Sequence, residues 1–318
     1  METFTEPTPR EPIHITFFGE FSLCAGKIRI DDSLNRSRKM WNMLAYLVAH
    51  RERAIPQREF VTMLWGESAQ RAAFVANEAH IHTVVDDPAR MLGQVDAVMV
   101  VLRHGAQHHD AALPFLRAGI STWVDKPFTT DIGQAAALVA AARESGALLA
   151  GGSTCKYCQD VLWLRDKYRA MCADGGVISA GLNFPGELDS PYGGLYFYGG
   201  HTAEILTTAF GPDIISVKAD VTAGNVIAVF KYASLGVCVN FAEVSEFHAA
   251  LYGAKEVAVH SIDISTIYRQ GFAKFVQGVL TRTPPEPYGT LLRPVQILNA
   301  LVEAAQTGRE AFVAPPLE

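Results

Sequence analysis

Val95–Phe128, VDAVMVVLRHGAQHHDAALPFLRAGISTWVDKPF, leaves few folds open to this sequence. The apolar run Val98–Leu102 is bounded by polar residues, which suits a strand buried on both faces of a parallel sheet. A helix follows, with Ala111, Ala112, Phe115 and Leu116 as its apolar stripe and Gly119 at its end. A second strand, Ile120–Val124, runs directly into Asp125-Lys126-Pro127. Strand, helix and strand with short connections form the unit of a doubly wound α/β sheet. Ligands bind such sheets off the carboxyl ends of the strands. His104–His109 and Asp125–Lys126 both fall at those ends.

The 318 residues leave room for two or three domains around this unit, and 49% hydrophobic against 19% charged content suits a soluble globular protein. A net charge of -6 gives no pull toward nucleic acid or an acidic membrane surface. No apolar run approaches a membrane span, and the polar, Pro-rich Met1–Glu11 reads as a loose tail rather than a signal peptide, so the expected compartment is the cytoplasm. The five cysteines are odd in number and scattered, which argues against a disulfide scaffold. Cys155-Lys156-Tyr157-Cys158 has CxxC spacing, but the only other nearby thiol is Cys172. The spacing is therefore read as coincidence, with metal and redox roles as the alternatives. His104, His108 and His109 lie in a turn without a carboxylate at helical spacing, so no metal site is expected there.

In chain order, Ile13–Phe18, Phe21–Cys24 and Lys27–Ile30 read as short strands. Ser37–His50 and Gln57–Trp65 read as helices, with Ala54-Ile55-Pro56 between them. Over Ile13–Glu67, the order ITFFGEFSL, RSRK, MWNMLAYLVAH, REFVTMLWGE resembles the N-terminal part of OmpR-like winged-helix domains from bacterial transcriptional activators. That resemblance implies DNA contact. A recognition helix reads bases with several polar or basic side chains, and Ser68–Glu78 carries one arginine. Arg36, Arg38 and Lys39 are accordingly read as a solvated helix start, with DNA as the alternative partner. Arg71–Ala79 reads as a helix, Ile81–Val84 as a strand and Pro88–Leu92 as a helix that an aspartate caps. After Val95–Phe128 come an Ala-rich helix, Asp131–Ser145, and a strand, Leu148–Ala150. Beyond Ser153 the pattern changes. Cys158–Tyr168 reads as a helix, and a strand spans Val177–Phe184. Gly200–Phe210 is helical, and strands follow at Ile214–Thr222, Val226–Tyr232, Gly236–Phe241, Ala249–Tyr252 and Glu256–His260. Short loops between these strands suggest an open, largely antiparallel sheet. Helices Ile264–Leu280 and Leu291–Thr307 flank a Pro-rich turn.

The motifs VDAVMVV, HGAQHHD, AGISTWVDKPF and GGLYFYGGHTAEILTTAFG, in that order, resemble the Gfo/Idh/MocA oxidoreductases over about Arg71–Arg309. Asp125-Lys126-Pro127 stands where that family has Glu-Lys-Pro, and His201 where it has its catalytic-domain histidine. The resemblance implies NAD or NADP as cofactor, a sugar, cyclitol or similar polyol as substrate, and hydride transfer at an alcohol carbon. It makes Lys126 and His201 the catalytic pair. His104, His108, Asp125, Lys126 and Pro127 would line the cofactor, and Tyr192 and Tyr198 the substrate. It also implies a homo-oligomer built on the open face of the C-terminal sheet. The sequence departs from the pattern in two places. No GxGxxG precedes Val95, where the glycines are Gly19, Gly26, Gly66 and Gly93. Phe197 stands where the family often has an aspartate.

The fold expected is α/β, an incomplete Rossmann-like parallel sheet followed by an α+β domain with an open, largely antiparallel sheet. Its expected segments are a winged-helix-like 1–68, the second half of a nucleotide-binding domain over 69–152, and an α+β substrate and oligomerisation domain over 153–318. Two other readings remain open. One is a ligand-sensing transcriptional regulator without turnover. The other is a fusion of unrelated fragments with an exposed sheet edge.

Overall fold

The computed structural model describes the strands at 13–16, 22–25 and 28–31 by their backbone, and residues 62–317 apart from 243–245. The chain divides into two compact units, Met1–Gln94 and Val95–Glu318.

In the first unit, β1 (Ile13–Thr16), β2 (Ser22–Ala25) and β3 (Ile28–Asp31) form an antiparallel meander. The helix expected over Ser37–His50 lies outside the described residues, as does the start of the one expected over Gln57–Trp65. The end of that second helix is corrected: Met63–Leu64 is a strand, β4, not helix. It pairs in parallel with β5 (Thr83–Val84) across α1 (Ala69–Glu78). A short apolar run fits strand and helix equally by periodicity, and here the parallel partner decides. Ser68 caps α1, its Oγ accepting from the Arg71 N–H at 3.3 Å. Asp87 caps a 3-10 turn at Pro88–Met91, where α-helix was expected, its Oδ1 accepting from the Ala89 N–H at 2.8 Å.

The second unit opens with β6 (Ala97–Val100), α2 (His108–Arg117), β7 (Ser121–Val124), α3 (Ile132–Ser145) and β8 (Leu149–Gly151). Their strands form a parallel sheet in the order β6-β7-β8, with Ala97 opposite Ser121 and Thr122 opposite Leu149. Thr122, Trp123 and Val124 are buried, as a central strand requires. Burial of β6 on both faces is not what forms: Met99 remains 40% exposed while Val98 and Val100 on the opposite face are buried, and among the described residues β7 is the strand that pairs with β6. Asp131 caps α3 through Oδ1, 2.8 Å from the Gln134 N–H.

The rest of the unit is α4 (Gln159–Ala173), β9 (Val177–Phe184), α5 (Tyr196–Phe210), β10 (Ser216–Thr222), β11 (Asn225–Lys231), β12 (Gly236–Phe241), β13 (His248–Gly253), β14 (Val257–Ser261), α6 (Ile267–Thr281), α7 (Gly289–Thr307) and β15 (Ala311–Phe312). Its seven strands run β14-β13-β9-β12-β11-β10-β15, and only the β9–β12 pair is parallel. One face carries the core. Phe184, Phe230, Phe241 and Leu251 from the strands share a cluster with Ile205 and Leu206 of α5 and Ile297 and Leu298 of α7. Burial of each such side chain is worth about 1.5–3 kcal/mol. That packing fixes α5, the element that carries His201.

Candidate active site at the Lys-Pro corner

Three strand ends and one helix build the site. The chain leaves β7 at Val124, and the Asp125 N–H donates to the Val100 carbonyl at 2.9 Å, so the ladder with β6 reaches the corner itself. The Lys126–Pro127 peptide bond is cis. His108, fully buried at the start of α2, holds this corner from behind. Its Nδ1 lies 2.8 Å from the Pro127 carbonyl and its Nε2 2.8 Å from the Leu102 carbonyl. It thus ties the end of β6 to the turn after β7. His104, by contrast, caps the 3-10 turn Gly105–Gln107, with Nδ1 accepting from the Ala106 N–H at 3.3 Å.

Two glycines let the backbone close on the corner. A Cβ on Gly105 would stand 2.3 Å from Pro127 Cγ, and one on Gly200 would stand 3.3 Å from Pro127 Cα. The second contact brings α5 against the corner and sets His201 beside it. Lys126 is 7% exposed, its Nζ donates to the Phe197 carbonyl at 3.0 Å, and it lies 3.9 Å from the centre of the Phe197 ring and 5.5 Å from that of Tyr198. Burial lowers the Lys126 amine below the ordinary lysine range, with Asp125 and Cys155 opposing and Arg103 adding to the shift. Burial raises the Asp125 carboxyl, opposed chiefly by its hydrogen bond to the Lys126 backbone. His201, 3% exposed, is pushed down to about 3 by burial and then by Lys126. It is therefore a neutral imidazole at neutral pH.

The third strand end adds residues that the sequence reading passed over. Ser153, two positions beyond β8, places Oγ 2.7 Å from His201 Nδ1. Cys155 Sγ is 3.4 Å from the same nitrogen, and burial pushes this thiol up to about 12, so it stays protonated. The Ser153 N–H donates to Glu204 Oε2 at 3.1 Å. Glu204 in turn meets Lys156 Nζ at 3.1 Å, and the lysine also donates to the Gly151 carbonyl at 2.8 Å. Burial raises the Glu204 carboxyl, with Lys156 opposing it. Glu286 closes the network, paired with Lys156 at 3.7 Å and accepting from the Tyr157 hydroxyl. The rule that pointed to Asp125–Lys126, the carboxyl end of a parallel strand, applied equally to Ser153.

Tyr192 and Tyr198 both reach the neighbourhood of Lys126. The Tyr192 ring lies 5.0 Å from that of Phe197, and the Tyr198 ring 6.5 Å from that of His201. Arg103, absent from the expected set, donates to the Tyr192 hydroxyl at 2.6 Å. Of the CxxC pair, Cys155 faces His201 and Cys158 donates to the Asp263 carbonyl at 3.3 Å. Among the described residues no three His, Cys, Asp or Glu side chains converge as a metal would need.

Residues 42–153 match the Gfo/Idh/MocA family model, described as an oxidoreductase family with an NAD-binding Rossmann fold. The Gfo/Idh/MocA match takes in residues 42–67, so it overlaps the stretch that resembled a winged helix, and that resemblance gains no support. No curated protein is similar to the chain in sequence. Solved structures extend the fold over most of the chain. The GenD2 structure from gentamicin A biosynthesis, in complex with NAD, is 17% identical with a TM-score of 0.68, over 87% of this chain and 94% of that one. Myo-inositol 2-dehydrogenase from Lactobacillus plantarum is 12% identical with a TM-score of 0.69, over 85% and 96%. Scyllo-inositol dehydrogenase from Lactobacillus casei is 13% identical with a TM-score of 0.69, over 86% and 96%. The chain thus shares the fold of these structures, a Rossmann-like parallel sheet followed by a domain with a mostly antiparallel sheet.

Proposed function

We propose that this protein is an NAD- or NADP-dependent oxidoreductase that interconverts an alcohol and a carbonyl on a sugar, cyclitol or similar polyol, with Lys126 and His201 as its catalytic pair. The observation that carries the reading is the convergence of a partly desolvated lysine amine and a neutral histidine at the carboxyl ends of a parallel sheet. An alcohol that loses hydride must also lose a proton, which requires a base of suitable pKa within hydrogen-bond reach.

The residues present fit a nicotinamide cofactor at its reacting end. They collect at the carboxyl ends of β6, β7 and β8, where α/β sheets hold ligands. His201 Nε2 has no hydrogen-bond partner among the described residues. When bound, the cofactor supplies the hydride acceptor. His104, Asp125, Lys126 and Pro127 line its place, and His108 serves it as a brace behind the corner. Tyr192 and Tyr198 offer aromatic faces and hydroxyls to a polyol. GenD2 in complex with NAD and the two inositol dehydrogenases support this substrate and cofactor class.

The open face of the large sheet supports a homo-oligomer. Val259, Ala250, Gly181, Cys238 and Val229 follow one another across β14, β13, β9, β12 and β11 on that face. This row is apolar across five strands and ends at Lys218 of β10, whereas the solvent face of a lone sheet is polar throughout. No described helix is long and apolar enough to cross a membrane, and the working compartment we assign is the cytoplasm. The test is turnover. A panel of cyclitols and sugars is offered with NAD and with NADP, and formation of the reduced nicotinamide is followed by absorbance. Turnover of a polyol supports the assignment. No turnover across the panel with either nucleotide defeats it.

A further inference from the structure

We propose that Ser153 is a positioning residue that holds His201 as the Nε2–H tautomer, so that His201 donates a hydrogen bond to the substrate oxygen and Lys126 takes the substrate's proton. The proposal rests on the oxidoreductase reading and divides the work within its catalytic pair.

The hydrogen-bond geometry around Ser153 fixes the direction. Its Oγ already accepts from the Cys155 N–H at 3.0 Å. Its side chain is completely buried, so its own hydroxyl proton must go to a protein acceptor. Among the described residues, the acceptor within reach is His201 Nδ1, at 2.7 Å. If Nδ1 carried the proton instead, the serine proton would be left buried and unpaired, which proteins avoid. The Cys155 thiol, kept protonated by burial, presents a second weak donor to the same nitrogen at 3.4 Å. No carboxylate contacts Nδ1 among the described residues, so nothing there stabilises an imidazolium. The remaining proton of the neutral ring therefore sits on Nε2, the nitrogen without a protein partner.

Ser153 is itself held. Its N–H donates to Glu204, one turn along α5 from His201, and Lys156 fixes Glu204 in turn. The chain Lys156–Glu204–Ser153–His201 thus fixes the ring from the side away from substrate. The titratable groups around the pair are Arg103, Asp125, Cys155, Tyr198, Tyr268 and Glu204. With Nε2–H as donor, His201 has no lone pair to offer a substrate hydroxyl. The amine of Lys126, in the same pocket, does. In the oxidation, the O–H proton passes to Lys126 Nζ, which becomes ammonium. The C–H hydride goes to the oxidised nicotinamide, and the new carbonyl oxygen accepts from His201 Nε2–H.

Two measurements test this. Long-range proton–nitrogen correlation spectra of the 15N-histidine-labelled, cofactor-free protein report the tautomer directly, with His201→Gln used to assign the ring among the ten histidines. We expect an Nε2–H pattern that persists from pH 8 down to about pH 5, as a donor-bound neutral ring requires. An Nδ1–H pattern, or an imidazolium near neutral pH, overturns the proposal whether or not the protein turns over any polyol. The second measurement compares variants in steady state. His201→Gln, which keeps an N–H donor, is expected to retain about tenfold or more of the kcat/KM of His201→Ala. Ser153→Thr, which keeps the hydroxyl, is expected to exceed Ser153→Ala in kcat at similar KM. Lys126→Ala is expected to be rescued by added small primary amines. Equal loss in both His201 variants together with no amine rescue of Lys126→Ala would make His201 the base and overturn the division of labour.

Discussion

At the residue scale, the pocket shifts two bases in the same direction by the same cause. Burial disfavours charge on Lys126 and on His201 alike, with Lys126 further disfavouring charge on His201 and Arg103 on Lys126. The activity in the direction of alcohol oxidation should therefore rise with pH as the Lys126 amine loses its proton, with its midpoint below the ordinary lysine range. Lys126→Met should lower kcat/KM by about 10²–10⁴ and remove that ionisation from the pH profile. His201 carries a stability signature as well. Its folded pKa, about 3, lies below the unfolded value of 6.5, so the unfolded state binds more protons between them. Stability is then full above about pH 6.5 and falls as the pH drops, by about 1.4 kcal/mol per unit for one group. Urea unfolding at pH 7 and pH 5 should show that loss in the wild type and a smaller one in His201→Gln. Lys126 and His201 could be picked out from the sequence because their motifs stand in order. Ser153 and Glu204 could not, since their roles arise from a hydrogen-bond chain between β8 and α5 that no local pattern encodes.

At the scale of elements, the corner depends on close approaches that only glycine allows. Gly105 faces Pro127 at a distance no Cβ tolerates. Gly105→Ala should overpack the turn and cost about 1–3 kcal/mol, read as a lower urea midpoint with unchanged slope, and it should weaken activity by shifting Lys126. A variant as stable and as active as wild type would show that Gly105 has room to move. Strong periodicity made α2, α3, α5 and the strands of the large sheet other than β15 readable in advance. Two errors have definite causes. Met63–Leu64 is too short for a period to show, and its parallel partner at Thr83–Val84 lies beyond a helix. The run Val98–Leu102 reads as a doubly covered strand because composition alone does not show which face its neighbours cover; Val98 and Val100 are buried and Met99 on the other face is exposed.

At the scale of the whole molecule, the second unit brings together a parallel sheet that presents the reacting groups and an antiparallel sheet whose inner face anchors α5. Its outer face is the one we propose packs against another copy of the chain. Val229→Lys, in the middle of that face, should split the assembly into smaller species in light scattering coupled to gel filtration, because burying an unpaired ammonium at an interface costs several kcal/mol. An unchanged mass would move the interface elsewhere. The two-sheet plan was legible in the sequence because its punctuation changes after Ser153. The pair β4–β5 was not, since each of its strands is two residues long. The central claim is that these groups serve a nicotinamide cofactor. Titration of the protein against NADH and NADPH, followed by nucleotide fluorescence, tests it most directly. Saturable binding of at least one of them, weakened in Lys126→Met, is the expected result. A flat response with both up to millimolar concentration would contradict the account.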